Sequence, residues 1–283
     1  LGDVYKRQVM ADAAGRMAQG QFDTRVEISR TAPEMARLAD SFNTMADKLS
    51  ELESSRREFV ANVSHELRSP ITSIRGFVEG MEDGTIPPQE HGKYLHIVGD
   101  ETKRLSKLIN DLLSLSRLER EDAQLQLTDF DMNEMLRRAV IRRMNDLDQK
   151  HMEVETDFRL DPCMVHADSD RMEQVVVNLL DNAIKFTPQG GKIRLTTEDT
   201  GSVIQVTVWD NGQSILPEDR DKVFDRFFTA DRAHTAGKGT GLGLSICKRI
   251  LEFHGQSIRL ADTTEGAAFV FTLEKGKATE DKK

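Results

Sequence analysis

The chain is poor in cysteine, with only Cys163 and Cys247 among 283 residues. They form no Cys-x-x-Cys pair and are too few for a disulfide framework, which fits a reducing compartment and two inert, buried thiols. Long apolar runs are missing as well: no stretch of about 18 or more apolar residues is present, so no helix here is suited to cross a bilayer. Nor is there a basic excess. The formal net charge of -9 has the wrong sign for neutralising nucleic-acid phosphates, so no nucleic acid is expected as a partner. The chain starts without a Met and without the charged-then-apolar order of a signal peptide, and reads as a piece of a longer protein. Residues 1–8, LGDVYKRQ, resemble translated adapter sequence and carry no inference.

What is present is length and pattern. Hydrophobic residues make up 38% and charged residues 31%, a soluble composition, and 283 residues exceed one typical domain of about 100–200 residues. Apolar residues recur in steps of three and four at Met35, Leu38, Phe42, Met45, Leu49 and Leu52, and resume at Phe59 and Val63 after a polar Arg56, a heptad seam. Before it lie a short helical stretch around Ala13 to Ala18 and a connector punctuated by Gly15 and Gly20 that carries Phe22, Val26 and Ile28. The seam continues through Val60, Leu67, Ile71, Ile74, Val78 and Met81 and stops at Asp83 and Gly84, with Pro87 and Pro88 opening the next segment. A second seam runs through Tyr94, Val98, Leu105, Leu108, Leu112 and Leu115, with Glu101 at its polar turn. The pair is expected as an antiparallel hairpin whose apolar stripes are wider than two helices can cover, hence a homodimeric four-helix bundle.

Beyond about Glu121 the pattern changes to alternation around Leu125 and Leu127, Met152 and Val154, Ile193 and Leu195, Ile204 to Trp209, Ile258 and Leu260, and Ala267 to Leu273, all strand candidates. Asp131 and Glu134 have capping-box spacing, and Asp170 to Lys185 reads as a helix. This part is expected as an α+β sandwich with helices on one sheet face, ending in a disordered polar tail. The whole is therefore multi-domain: an all-α coiled coil and helical hairpin, then an α+β domain.

Three constellations carry chemistry. With Val63 and Leu67 facing the core, His65 lies about 160 to 200 degrees around the helix from both and points to solvent. Glu66 is its neighbour, Ser69 stands one turn away on its face, and Pro70 should loosen the helix beyond. An exposed His is ordinarily a solvated side chain, but a neutral imidazole nitrogen is also a competent nucleophile, and a carboxylate can take or orient the proton on the other ring nitrogen. In NLLDNAIKFT (178–187), Asn178, Asn182 and Lys185 share a helix face, offering neutral oxygens to a hard cation and a point charge to phosphate. The third group is DNGQSI (210–215) after a strand, then FDRFF (224–228) and GKGTGLGL (237–244), glycine-rich turns that admit close phosphate approach before a helix N-terminus.

The segment FVANVSHELRSPITSIRGF (59–77) resembles the phosphoacceptor box of the sensor histidine kinases, and the later motifs resemble that family's ATP-binding boxes. The resemblance implies that His65 accepts the phosphoryl group, Glu66 keeps its ring ready to attack, and Ser69, where the family has Thr or Asn, could support a phosphatase reaction. It implies ATP and Mg²⁺ as cofactors, with Asn182 as the Mg²⁺ ligand and Asn178, Asn182, Lys185, Asp210, Gly212, Ile215, Phe227, Gly239, Thr240, Gly241, Leu242 and Gly243 around the nucleotide. Asp210 would accept the exocyclic amine of adenine, where guanine presents a carbonyl. Residues 9 to about 53 resemble a HAMP signal-relay module, although Pro33, Glu34 and Met35 depart from the usual Asp-Glu-Ile; an ordinary coiled-coil helix is the competing reading. The expected domains are a partial HAMP module at 1–53, a dimerisation and phosphotransfer domain at 54–120, an ATP-binding domain at 121–275 and a tail at 276–283. Expected partners are a second copy and a response-regulator receiver domain, with membrane attachment only through an upstream segment at the cytoplasmic face. A clamp-type ATPase of the same superfamily would lack the phosphoacceptor helix. An adaptor with a dead ATP site has one support, Ser214 where the family commonly has Gly, which would be strained if that position needs positive φ.

Overall fold

A computed structural model describes residues 2–26, 33–118, 124–229 and 239–277. The chain forms two compact units, Leu1–Thr72 and Ser73–Lys283. In the first, helix α1 (Gly2–Ala18) is longer than the stretch expected from sequence. It leads through the connector to α2 (Pro33–Glu82), which continues into the second unit. Ala13 and Met17 of α1, one turn apart, meet Val26 of the connector and Ala39, Phe42 and Ala46 of α2 in one buried cluster. Burying Val26 requires partners for its backbone, and Asn43 supplies both: its Oδ1 accepts from Val26 N at 2.9 Å and its Nδ2 donates to Val26 O at 3.0 Å. Ile28 of the expected connector lies outside the described residues.

The seam read from sequence is one helix of 50 residues that ends where expected, next to Asp83, with Pro70 inside it. Leu38, Met45, Leu52, Val60 and Ile71 along it are about half-exposed or more in the single chain.

In the second unit the end of α2 turns at Asp83, whose side chain accepts from Thr85 N, and a 3-10 turn at Pro88–Glu90 leads into α3 (His91–Leu118). The helices double back, with the rings of Phe77 and Tyr94 5.1 Å apart beside the turn. The α+β part then has two sheets. Strands β1 (Leu127–Asp131) and β3 (Met164–Asp168) pair antiparallel. Five others, β2 (Glu153–Phe158), β4 (Lys192–Asp199), β5 (Ile204–Asp210), β6 (Ile258–Leu260) and β7 (Ala267–Leu273), run in the order β2-β4-β5-β7-β6, with only β2 and β4 parallel.

Helices α4 (Met132–Arg142), α5 (Met144–Gln149), α6 (Ser169–Phe186) and α7 (Gly243–Phe253) complete it. The inward rows of β4 and β5, with Phe271, share a fully buried core with Leu136, Val175, Leu179, Ile246 and Ile250 of the helices. Cys163 and Cys247 are buried in this part, and Cys247 Sγ lies 3.7 Å from Val175 O.

Asp131 caps α4 by accepting from Asn133 N at 3.0 Å, but the capping box is only half made: Glu134 pairs with Arg138 at 2.7 Å instead of reaching back. Asp168 caps α6, starting it one residue earlier than expected. The tail also needs correction. Lys275 bridges Val165 and reaches Asp199, and Gly276 N donates to Met164 O at 3.0 Å, so order extends past the expected boundary; residues 278–283 lie outside those described.

Candidate active site

His65 is exposed on α2, whereas Val63 and Leu67 are half-buried, as the helical period requires. Glu66 is half-buried, Ser69 is exposed one turn on, and the ring of Pro70 is buried. Pro70 has no N–H to give the carbonyl of Glu66, so the helix ladder lacks a rung at this position.

The second candidate site belongs entirely to the second unit, and a strand alternation creates it. On β5 the buried residues are Ile204, Val206, Val208 and Asp210, so the period of two aims a carboxylate along the same row as three aliphatic side chains. Burial raises the Asp210 pKa from 3.8 to about 6, against the lowering effects of the Gly212 N–H, which donates to Oδ1 at 2.9 Å, and of the Thr187 hydroxyl. Gly212 must lack a side chain, because a Cβ there would lie 2.5 Å from Phe186 O and 2.7 Å from Asp210 Oδ1. The Thr187 hydroxyl is buried near this carboxyl without closing a hydrogen bond of normal geometry to any described residue, an orphaned group beside a cavity.

The cavity is bounded on one side by Asn178, Asp181, Asn182 and Lys185 of α6 and on another by Gly239, Thr240, Gly241 and Gly243. Asp210, Ser214 and Ile215 line it too. Asn178 Nδ2 donates to Gly243 O at 3.3 Å, tying the helix to the loop. Gly241, at φ +67°, passes so close to Phe227 that a Cβ would meet its backbone at 2.7 Å, and Phe227 N donates to Gly241 O at 2.9 Å.

Three residues expected at the nucleotide do not line the cavity. Gly212 supports Asp210 from behind, Phe227 braces the glycine loop through its backbone, and Leu242 is fully buried as the N-cap of α7. Phe186, Phe228 and Phe269 are the phenylalanines that do line it. Ser214 is not strained: the described non-glycine residues with positive φ are His151 and Phe227, so the left-handed conformation considered for Ser214 belongs to Phe227, at φ +62°. Gly237 lies outside the described residues. Sequence reasoning missed Thr187, Asp181, Val223 and Lys107, which meet the cavity or Asp210 only through tertiary packing.

Among the described residues no group of three or more His, Cys, Asp or Glu could hold a metal by itself. The donor set fits a Mg²⁺ bound by Asn182 and a polyphosphate together, since that ion keeps few protein ligands and takes substrate oxygens. The buried carboxylate, the orphaned hydroxyl and the glycine-walled end of the cavity fit a purine nucleotide.

Three family models match the chain: the HAMP domain over residues 8–51, the His Kinase A (phospho-acceptor) domain over 55–121, and the histidine kinase-, DNA gyrase B- and HSP90-like ATPase over 167–277. The sensor protein SrrB of Staphylococcus aureus is 37% identical over 227 residues, 79% of this chain and 39% of that protein. The chain thus spans about two fifths of the length of such relatives. Among solved structures, histidine kinase AdeS of Acinetobacter baumannii has a TM-score of 0.63 at 27% identity, covering 75% of this chain and 98% of that one. Histidine kinase ThkA in complex with response regulator protein TrrA has a TM-score of 0.66 at 31% identity, covering 81% and 66%.

Proposed function

The chain belongs to the sensor histidine kinases, and on that premise we propose that it moves the γ-phosphoryl group of ATP to His65 and then to an aspartate of a response-regulator receiver domain. The observation that carries the reading is the convergence of Asp210, the α6 polar face and the glycine loop on one cavity. Asp210 accepts the exocyclic amine of adenine, which selects ATP over GTP. Lys185 and the loop N–H groups hold phosphate oxygens at the start of α7. Asn182 is the residue to hold Mg²⁺, whose charge would offset that on the transferring phosphoryl group.

At the acceptor, the unprotonated ring nitrogen of His65 forms the new P–N bond as the bond from the γ-phosphorus to the ADP oxygen breaks, and the proton on the other ring nitrogen passes to Glu66. The Ser69 hydroxyl can orient a water for the opposing hydrolysis. The half-exposed apolar stripe of α2 is covered by a second copy, giving a homodimer, and the HAMP region relays a signal from an upstream membrane segment at the cytoplasmic face. No described helix is itself long and apolar enough to cross a membrane. In a labelled-ATP assay, His65→Gln should abolish acid-labile phosphate on the protein while leaving ATP-analogue binding unchanged; retained label would place the acceptor elsewhere.

A further inference from the structure

We infer that Lys107, on the hairpin helix α3, is a further phosphate-binding residue of the nucleotide site. The inference deepens the reading above and rests on it. Lys107 lines the same cavity as Asn178, Asn182, Lys185 and Gly239, although it comes from outside the α+β part. Its Nζ is 3.2 Å from Asp181 Oδ2. The other oxygen of Asp181 is held by Arg143 Nε at 2.7 Å, and Arg143 is the better buried cation, its side chain 28% exposed against 51% for Lys107. Asp181 therefore keeps a partner when Lys107 leaves, and a four-carbon stem lets the ammonium swing from the carboxylate to a phosphate oxygen in the same cavity. A lysine at this place also screens the triphosphate from Asp181, whose negative charge would otherwise face it.

The register of α3 is fixed so that Lys107 points there. One turn on, Asp111 accepts from the Thr240 hydroxyl at 3.0 Å, in the glycine loop itself, and Ser114 exchanges hydrogen bonds with Gln174 of α6 at 3.0 and 3.1 Å. Residues 107, 111 and 114 share one helix face, and the three contacts go to α6 or to the glycine loop, the two elements that wall the cavity. Phosphate affinity thus becomes a readout of whether α3 is seated.

The test is titration of the full chain with a non-hydrolysable ATP analogue by calorimetry and with adenosine by ligand-observed NMR. Lys107→Gln should weaken the analogue about twofold to fivefold, the range for a partly exposed charged contact, and leave adenosine unchanged, while Lys107→Arg should restore most of the analogue affinity. Equal analogue affinity in wild type and Lys107→Gln would overturn the inference while leaving the nucleotide reading intact. An equal fractional loss for adenosine would overturn it as well, since the change would then be one of cavity shape. Wild-type protein that binds neither ligand would remove the nucleotide reading, and this inference with it.

Discussion

Asp210 concentrates the tension of the site in one residue. Its carboxyl occupies a core-facing strand position, and burial lifts its pKa from 3.8 to about 6. Because the folded-state value is the higher one, the associated stability is fully present below about 3.8 and is lost as pH rises through about 6. At neutral pH the ionised group costs roughly 3 kcal/mol of folding stability. Asp210→Asn should therefore raise the melting temperature at pH 7.5 while weakening ATP-analogue binding, because the amide no longer presents a charged acceptor to the adenine amine. For the wild type, analogue affinity should fall as pH drops below about 6 and the carboxyl becomes protonated. A variant less stable than wild type, or affinity constant from pH 7.5 to 5, would contradict this account. Ser214 behaves oppositely. Its φ is not positive, so Ser214→Gly relieves no strain and adds only unfolded-state freedom. Calorimetry should show affinity unchanged or slightly weaker; a clear gain would restore strain to that loop. Asp210 and the glycines were legible in sequence because the motifs that hold them resemble the family's ATP-binding boxes. Thr187 and Lys107 were not, because the fold alone brings them to the cavity.

Among the elements, α2 was the most legible: a heptad repeat from Met35 to Met81 has no other regular solution, and one helix covers it. The strands β4, β5 and β7 were legible from alternation. Strand β3 was not, since its five residues are held by pairing with β1 and by the backbone of Glu274 to Gly276, all remote in sequence. Helix α5 has six residues and a single buried side chain, Leu147, too little for a period to register. The exposed stripe of α2 makes its own prediction. If a second copy covers it, Val60→Glu places a charge in the bundle seam, and sedimentation equilibrium should show a shift from dimer towards monomer. An unchanged mass would mean that this stripe is not the interface.

At the scale of the molecule, His65 and the cavity around Asp210 belong to parts with separate buried cores, so each can be disabled while the other stays folded. The distribution of sulfur follows the same division. Both thiols lie in the α+β part, and burial pushes Cys163 up to about 11 and Cys247 up to about 12. Neither offers a thiolate to a reagent until the packing around it opens. The chain thus carries a chemical clock wired to one module: the rate of alkylation counts openings of the nucleotide domain and is blind to the coil. Saturating ATP analogue should slow that clock in proportion to the occupancy of the cavity, because Cys247 packs on α6 beside Asn178. Val60→Glu should leave its rate untouched, and mass spectrometry of timed alkylation would read both without a phosphorylation assay.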